Sequence, residues 1–577
     1  MVEFVRISAS PAPAIGLVPI VLGVTGHRDI PADDVPRLSE VITKHLEDIL
    51  HDSPNSPHIL LSALAEGADR VAASVALDCG WALGVILPAP ADIYENDFTT
   101  PQSRAEFHEL LAKATWVESL SAETTGPGAY HTSGLRMLRQ SLYLLALWDG
   151  DPNGAEGGTS EMVNLFRHGI PEPFLPGPAD NSLPEARPVL HVLTRRTRAL
   201  ERLSARDVGR LTMLAPEPAG TSGENELDRW AAVLQHIDQF NADAALCRNE
   251  NSAEFKEAMA ELERAAPPDL PLSGRSAAAI QVVAGVMSKQ AQTQRDRELL
   301  WLFGLALMAV FCEQIYSGPI WAAGWLAAAI VSGVLAAVLF QRGTQTRLEA
   351  RYLDYRALAE ACRVQYFWKQ AGVSACATDH FLRDQRDELE WLRQAVRTTE
   401  LMPGHVAMEV NRLGKVGRDW IDDQRKWFIG SGEGNGGKAT WNRERNQVWS
   451  QRSRWYFQGG IAVTVLLVLL HTFVVPHMSK GDEDALQWLI VTYGMLFGMA
   501  GIAAIYQEVK AFAEQARAYS RMGLAMNMAR RHLDVALASG DLVAAENILL
   551  GAGRDALAEN GGWLLLHRDR PAQVPLG

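Results

Sequence analysis

The stretch "LYLLALWDGDPNGAEGGTSEMV" (142–163) passes from an unbroken apolar run into a loop of glycine and small polar residues, and then into the start of an amphipathic helix. Strands covered on both faces read as continuous apolar runs, whereas half-solvated strands alternate. Outward from this stretch the same unit recurs. "VPIVLGVTG" (18–26), "HILLSAL" (58–64), "WALGVIL" (81–87), the weaker "TWVESL" (115–120) and "RPVLHVLTR" (187–195) are strand candidates. Helical patterns at 35–50, 68–80, 103–114, 132–141 and 158–169 lie between them. Buried strands alternating with helices predict an α/β, Rossmann-like, doubly wound parallel sheet over residues 1–195.

The chain has 577 residues, too many for one core, and a net charge of −14. Nucleic-acid recognition needs clustered Lys and Arg, so the acidic balance argues against a nucleic-acid partner. Five cysteines, Cys79, Cys247, Cys312, Cys362 and Cys376, stand singly with no ligand spacing, which predicts reduced thiols and no metal site. No GxGxxG follows the first strand, so no redox cofactor is expected. The N-terminus lacks the basic segment, apolar core and cleavage site of a secretory signal.

Near residue 299 the composition changes. "LLWLFGLALMAVFCEQIY" (299–316), "WAAGWLAAAIVSGVLAAVLF" (321–340), "IAVTVLLVLLHTFVVP" (461–476) and "LQWLIVTYGMLFGMAGIAAIY" (486–506) are each close to the length that crosses a bilayer. They predict an all-α membrane domain with four transmembrane helices in two hairpins. The flanks "KQAQTQRDRE", "QRGTQTRLEARYLDYR" and "RERNQVWSQRSRW" are basic and the two hairpin turns are neutral or acidic, which places both termini in the cytoplasm of a multi-pass protein. Each hairpin is entered and left by a charged helix, a duplicated layout whose extended helices suit homo-oligomer contacts. Glu313 and His471 lie toward the outer ends of their spans and are pore candidates or headgroup-level residues. Gly494, Gly498 and Gly501 suit close helix packing.

These readings divide the chain into the sheet domain (1–195, with a Pro-rich loop at 170–186), a helical connector (196–280), a first hairpin with its cytoplasmic helices (281–375), a cytoplasmic linker (376–440), a second hairpin (441–545) and a cytoplasmic tail (546–577).

A parallel sheet binds ligands beyond the carboxyl ends of its strands. Three polar, glycine-bearing loops fall there. The first brings Gly26, His27 and Arg28; the second brings Glu66, Gly67, Ala68, Asp69 and Arg70; the third brings Asp149, Gly157, Gly158, Thr159, Ser160 and Glu161. Glycines permit close approach to a ligand, and the amides at a helix amino terminus favour an anion such as phosphate. Arg28 suits a bidentate phosphate contact, while Glu161 can accept from a ribose hydroxyl or act as a base. The simpler reading is that the glycines close βα turns and that Ser160 and Glu161 cap a helix.

The segments "VTGHRDI", "LSALAEGADRVAA", "FTTPQSRAEFHELL" and "LYLLALWDGDPNGAEGGTSEMV" resemble the SLOG superfamily of Rossmann-like proteins over residues 15–195. The resemblance implies a nucleotide or nucleotide-derived ligand. Members that hydrolyse nucleotides carry a longer Pro-Gly-Gly-x-Gly-Thr-x-x-Glu loop; "EGGTSE" lacks the proline and places Glu161 at the terminal Glu, so binding carries over and hydrolysis through Glu161 and Arg28 stays open. Residues 285–540, above all "RDWIDDQRKWF" (418–428) with Trp420, Asp423 and Gln424, resemble SLATT-type two-span domains that accompany SLOG domains and nucleotide-signal synthases in bacterial defence systems. Together the resemblances imply a nucleotide-sensing effector of the bacterial inner membrane that opens a pore or disrupts the bilayer, in antiviral defence and beside a partner synthase. The alternative is a membrane-tethered nucleotide hydrolase or N-glycosidase.

Overall fold

The computed structural model describes residues 3–5, 16–120, 127–152, 154, 156–170, 186–217, 223–249, 253–381, 389–402, 404, 406–431, 436–477 and 483–568. The Pro-rich loop and most of the second hairpin turn lie outside the described residues. The chain forms two compact units, Met1–Ala284 with Leu358–Met408, and Gly285–Ala357 with Glu409–Gly577.

The first unit is built on one sheet of eight strands: β1 (Glu3–Val5), β2 (Ile20–Gly26), β3 (His58–Ser62), β4 (Ala82–Leu87), β5 (Trp116–Ser119), β6 (Tyr143–Trp148), β7 (Val189–Leu193) and β8 (Leu211–Leu214). Their order is β1-β5-β4-β3-β2-β6-β7-β8; the six inner strands are parallel, and β1 and β8 close the edges antiparallel. The chain winds outward from β2 through β3 and β4 to β5, then returns to lay β6 on the other side of β2. The order therefore reverses between β2 and β6. Side chains of β3 and β5 are buried throughout, Glu118 and Ser119 of β5 included, as strands covered on both faces require. Gly84 on β4 makes room for Trp116, whose ring would lie 2.3 Å from a Cβ there.

Helices α1 (Val35–Asp52), α2 (Ala68–Asp78), the single turn α3 (Ala91–Tyr94), α4 (Pro101–Lys113), α5 (Pro127–Gln140) and α6 (Thr159–His168) form the crossovers. In α1 the buried residues Leu38, Ile42, Leu46 and Ile49 recur at the helical period, which fixes the face that meets the sheet. The segment expected as a separate connector, 196–280, belongs to this unit instead. It supplies β8 and α7 (Gly223–Asn249), followed by α8 (Ala253–Ala265). The stripe Trp230, Val233, Ile237, Phe240, Ala244 and Cys247 of α7 is buried, and Asn241 bonds both the amide and the carbonyl of Val18 just before β2.

The long helices follow: α9 (Leu272–Ser317), α10 (Ala323–Gln345), α11 (Leu348–Ala371), α12 (Glu390–Arg397), α13 (Val410–Val416), α14 (Asp423–Ile429), α15 (Gly437–Phe473), α16 (Glu483–Lys510), α17 (Phe512–Ser539) and α18 (Leu542–Arg568). Among the described residues four helical stretches, Leu272–Ser317, Ala323–Ala371, Gly437–His477 and Leu486–Ser539, are long and apolar enough to cross a membrane, and each overlaps one expected span. Their apolar faces point outward: Leu300, Met308, Val334, Val338, Val465 and Leu469 are exposed. Exposed tryptophans stand at the start of every span, Trp301, Trp321, Trp455 and Trp488, where an interfacial belt is placed. Within the second unit α15 packs along α16, with Gly460 against the Phe497 ring. α9 runs antiparallel to α16, pairing Asp296 with Lys510, Phe303 with Tyr506, Leu307 with Gly498 and Gln314 with Gly494. Gly494 and Gly498 thus serve close packing, whereas Gly501 has open space around it.

The expected duplication has a backbone signature. The second span of each hairpin ends at a non-glycine residue in the left-handed region, Arg347 (φ 49°) before α11 and Ala511 (φ 46°) before α17. The expected linker 376–440 does not form one segment. Residues 376–408 belong to the first unit and the rest to the second. "RDWIDDQRKWF" spans a π-helical turn (Gly417–Asp422) and α14, and it docks on α17: Asp422 meets Arg530 at 3.0 Å, and the rings of Trp427 and Phe428 pack on Tyr519.

Candidate functional site

A cavity of about 770 Å³ opens along the carboxyl edge of the sheet, at the point where strand order reverses between β2 and β6. Crevices of this kind form because the loops of adjacent strands diverge to opposite faces there. The loops after β2 and β6 bring Gly26, His27, Arg28, Asp149, Gly157, Gly158, Thr159 and Ser160 to its wall, and the first turn of α2 adds Asp69. Five expected residues, Glu66, Gly67, Ala68, Arg70 and Glu161, are not part of the lining.

Each of the five has a structural task. Gly67 (φ 75°) lies so close to the preceding loop that a Cβ would sit 2.5 Å from the carbonyl oxygens of His27 and Arg28, and the Ala68 amide donates to the His27 carbonyl. Gly26 is packed against the Ala68 methyl in the same way. These glycines let one loop approach another. Glu66 accepts a hydrogen bond from Ser103 at the start of α4, and Arg70, buried, reaches the Leu64 carbonyl, Ser103 and Glu106. Glu161 accepts from the Gly157 amide at 2.5 Å, and its other oxygen lies 3.2 Å from His131. As the third residue of α6 it reaches back to the amide just before the Gly158 N-cap and so ties the loop to the first turn of the helix. Ser160 donates to the Pro152 carbonyl and pins the loop across the helix start. The glycines and caps of the third loop thus hold the amino end of α6 open to the cavity.

The polar wall has two ends. On the β7 side, Arg196, Thr197 and Arg198 line the cavity, anchored to Asp29: Arg196 Nε lies 3.0 Å from Oδ1, Arg198 Nε 3.2 Å from Oδ2, and the Thr197 amide donates to the Asp29 carbonyl. The Asp149 amide donates to His27 Nε2 at 3.0 Å, and Asp149 Oδ1 lies 3.1 Å from the same atom. Burial lowers the His27 pKa despite Asp149, so the neutral ring that accepts the amide is favoured near neutral pH.

On the β3 and β4 side stand Arg28, Asp69, Tyr94 and Tyr130. The Arg28 guanidinium lies 5.1 Å from the centre of the Tyr130 ring. Burial works against its charge, but Tyr94, Tyr130 and Asp69 outweigh that cost and keep it cationic. Burial pushes the Asp69 carboxyl up to about 6, against the opposing pull of the Ala65 amide, Arg28, the Ser62 hydroxyl and the Ala63 amide. Tyr130 donates to Asp97. Tyr94 is 3% exposed, and its hydroxyl has no hydrogen-bond partner among the described residues. Leaving a hydroxyl buried and unpaired costs about 1–3 kcal/mol.

Sequence reasoning missed Tyr94, Tyr130, Arg196 and Arg198. Tyr94 ends α3 and Tyr130 lies in the first turn of α5, and only the packing of these two helices over the sheet edge brings them in. The pair "RRTR" after β7 was legible as basic but was assigned to the connector. Arg28, Arg196, Arg198 and the α6 amides can hold anions, Asp69 and Asp149 can accept from hydroxyl or amino groups, and the tyrosines offer flat apolar faces. Among the described residues no His, Cys, Asp and Glu cluster fits a metal ion. Glu313 and His471 both lie on exposed faces near the ends of α9 and α15, and neither is enclosed among the helices of this chain.

No protein-family model matches this chain. None of the curated proteins matches it either. Among solved structures it is similar to the X-ray structure of DNA processing protein A from Streptococcus pneumoniae, at 15% identity and a TM-score of 0.17, over 22% of this chain and 41% of that one. A likeness of that size carries no argument, and the Rossmann-like description of the first unit rests on its own strand order and crossovers.

Proposed function

We propose that this chain is a membrane-resident sensor whose switch-point cavity binds a nucleotide-derived signal and whose four apolar helices respond by opening a pore or disrupting the bilayer. The observation that carries the reading is the cavity itself, in which arginines, a helix amino terminus, acidic acceptors and two tyrosines converge on a chain that also holds four membrane-length helices. Phosphate, ribose and base each find a suitable partner class there. The sequence resemblance to SLOG and SLATT domains points the same way, and with it come the bacterial inner membrane, cytoplasmic termini, a partner synthase and an antiviral setting. Four spans per chain enclose little, so a pore requires a homo-oligomer. Ligand binding gates it only through differential affinity for closed and open states.

The hydrolase alternative gains nothing from the site geometry, because the Glu161 carboxylate is engaged by the Gly157 amide and lies beside His131. The test is thermal unfolding of the detergent-solubilised full chain with AMP, ADP, cyclic nucleotides and ADP-ribose, followed by dye release from liposomes. Ligand at 100 times its Kd raises stability by about 2.7 kcal/mol, a readily visible shift. We expect one nucleotide class to stabilise the protein and to trigger release, with Arg28→Ala and Gly158→Asp abolishing both effects. Stabilisation followed by steady product formation and no leak favours the enzyme; no stabilisation by any nucleotide removes the sensor reading.

A further inference from the structure

We infer that the Tyr94 hydroxyl is a ligand-binding group of the cavity and that, together with the Arg28 guanidinium, it takes a phosphoryl group of the nucleotide. This rests on the nucleotide-binding reading above and deepens it, by adding a residue the sequence did not mark and naming the ligand atoms it reads. Tyr94 lines the cavity, yet its hydroxyl is buried with no partner among the described residues. Buried polar groups are paired in nearly all proteins, and an exception on a cavity wall points to a partner that enters from outside.

Its neighbours explain why the chain leaves it unsatisfied. The Tyr94 ring is clamped by Phe98, Phe107 and Tyr130, at 5.1, 5.9 and 6.4 Å between ring centres, so the hydroxyl cannot swing out to water. The Tyr130 hydroxyl donates to Asp97. The Asp69 carboxyl is taken by the Ser62 hydroxyl and by the Ala63 and Ala65 amides. Arg28, 5.1 Å from the Tyr130 ring centre and close enough for its charge to act on Tyr94, offers donors only.

Arg28 supplies the second observation. Arg196 and Arg198 line the same cavity but are both held by Asp29. Arg28 stands exposed at the wall and forms no salt bridge with a carboxylate among the described residues. Burial pushes the Tyr94 phenol far above its ordinary range, so it stays a donor at all physiological pH. Two donors, one of them cationic and neither given a carboxylate by the chain, select an anion that only accepts. A base edge presents donors and acceptors together, so on a nucleotide that anion is the phosphoryl group.

The test is thermal-shift titration of the full chain in detergent with AMP, cyclic AMP, ADP-ribose and adenosine, in wild type and Tyr94→Phe. The substitution deletes only the hydroxyl, so the unliganded variant melts no lower than wild type. A lower melting temperature means that the chain itself satisfies the hydroxyl, and it overturns the inference. We expect Tyr94→Phe to weaken at least one phosphorylated probe about tenfold or more, as loss of a hydrogen bond to a charged group does, while the adenosine response, weak or absent, stays the same. Unchanged affinity for all three phosphorylated probes, or an equal loss for adenosine, overturns the phosphoryl contact and leaves nucleotide sensing standing. Failure of every probe to stabilise wild type overturns both.

Discussion

Asp69 is held in its pocket by the Ser62 hydroxyl and by amides of the preceding loop, yet burial raises its carboxyl from 3.8 to about 6. Between those values the folded protein binds more protons than the unfolded chain, so stability falls as pH rises. The contribution is fully present below 3.8 and lost once pH passes 6; a shift of this size corresponds to about 3 kcal/mol. Asp69→Asn is therefore expected to flatten the fall in thermal stability between pH 4 and 6, read from melting temperatures across that range. Gly67 makes a second case. Its positive φ and the two backbone oxygens 2.5 Å from a Cβ leave no room for alanine. Gly67→Ala should cost about 1–3 kcal/mol and weaken ligand binding, because the loop it would displace carries His27 and Arg28. A Gly67→Ala protein with unchanged melting temperature would contradict the loop packing described. The glycine of "EGAD" was readable as a required glycine; that its close neighbour is protein backbone rather than ligand was not.

At the scale of elements, the paired breaks at Arg347 and Ala511 carry the clearest prediction. A non-glycine residue in the left-handed region costs about 1–2 kcal/mol, a cost glycine avoids. Ala511→Gly should raise the melting temperature, while Ala511→Pro, whose ring forbids positive φ, should lower it; an unchanged or lower melting temperature for the glycine variant would argue that the break is not held in that conformation. In the second hairpin, Gly460→Leu would press into Phe497, 3.0 Å from a Cβ, and separate α15 from α16. Its expected signature is a lower melting temperature in detergent, with the cavity's nucleotide affinity intact. The crossover helices and inner strands were legible because period and strand length agreed with each other. The edge strands were not: β1 has three residues and β8 shows mostly exposed side chains, so neither carries the apolar run by which a buried strand is recognised. The helix α7 was visible as a helix, but nothing in its periodicity said that its apolar stripe belonged to the sheet domain.

For the molecule as a whole, four spans would put both termini on one side of the membrane, and the basic flanks predict that this side is cytoplasmic. Reporter fusions at both ends should show the same sidedness, and protease added from outside should reach only the turns near 318–322 and 477–485; cleavage at 346–350 would refute four spans. The sequence by itself determined the class of each half, because continuous apolar strands between amphipathic helices leave a covered parallel sheet as the economical burial, and membrane-length apolar helices with tryptophan at their ends cannot hide in a soluble core. It also placed the three loops at one sheet edge, since that follows from strand direction alone. Only the tertiary structure decided which loop residues face the cavity and which brace it. Glu66, Gly67 and Glu161 are close in sequence to lining residues but turn toward Ser103, the His27 loop and the Gly157 amide. Tyr94 and Arg196 come from distant segments. The physical reason is that side-chain direction in a loop is set by the contacts that satisfy its backbone and charges, and those partners lie far away along the chain.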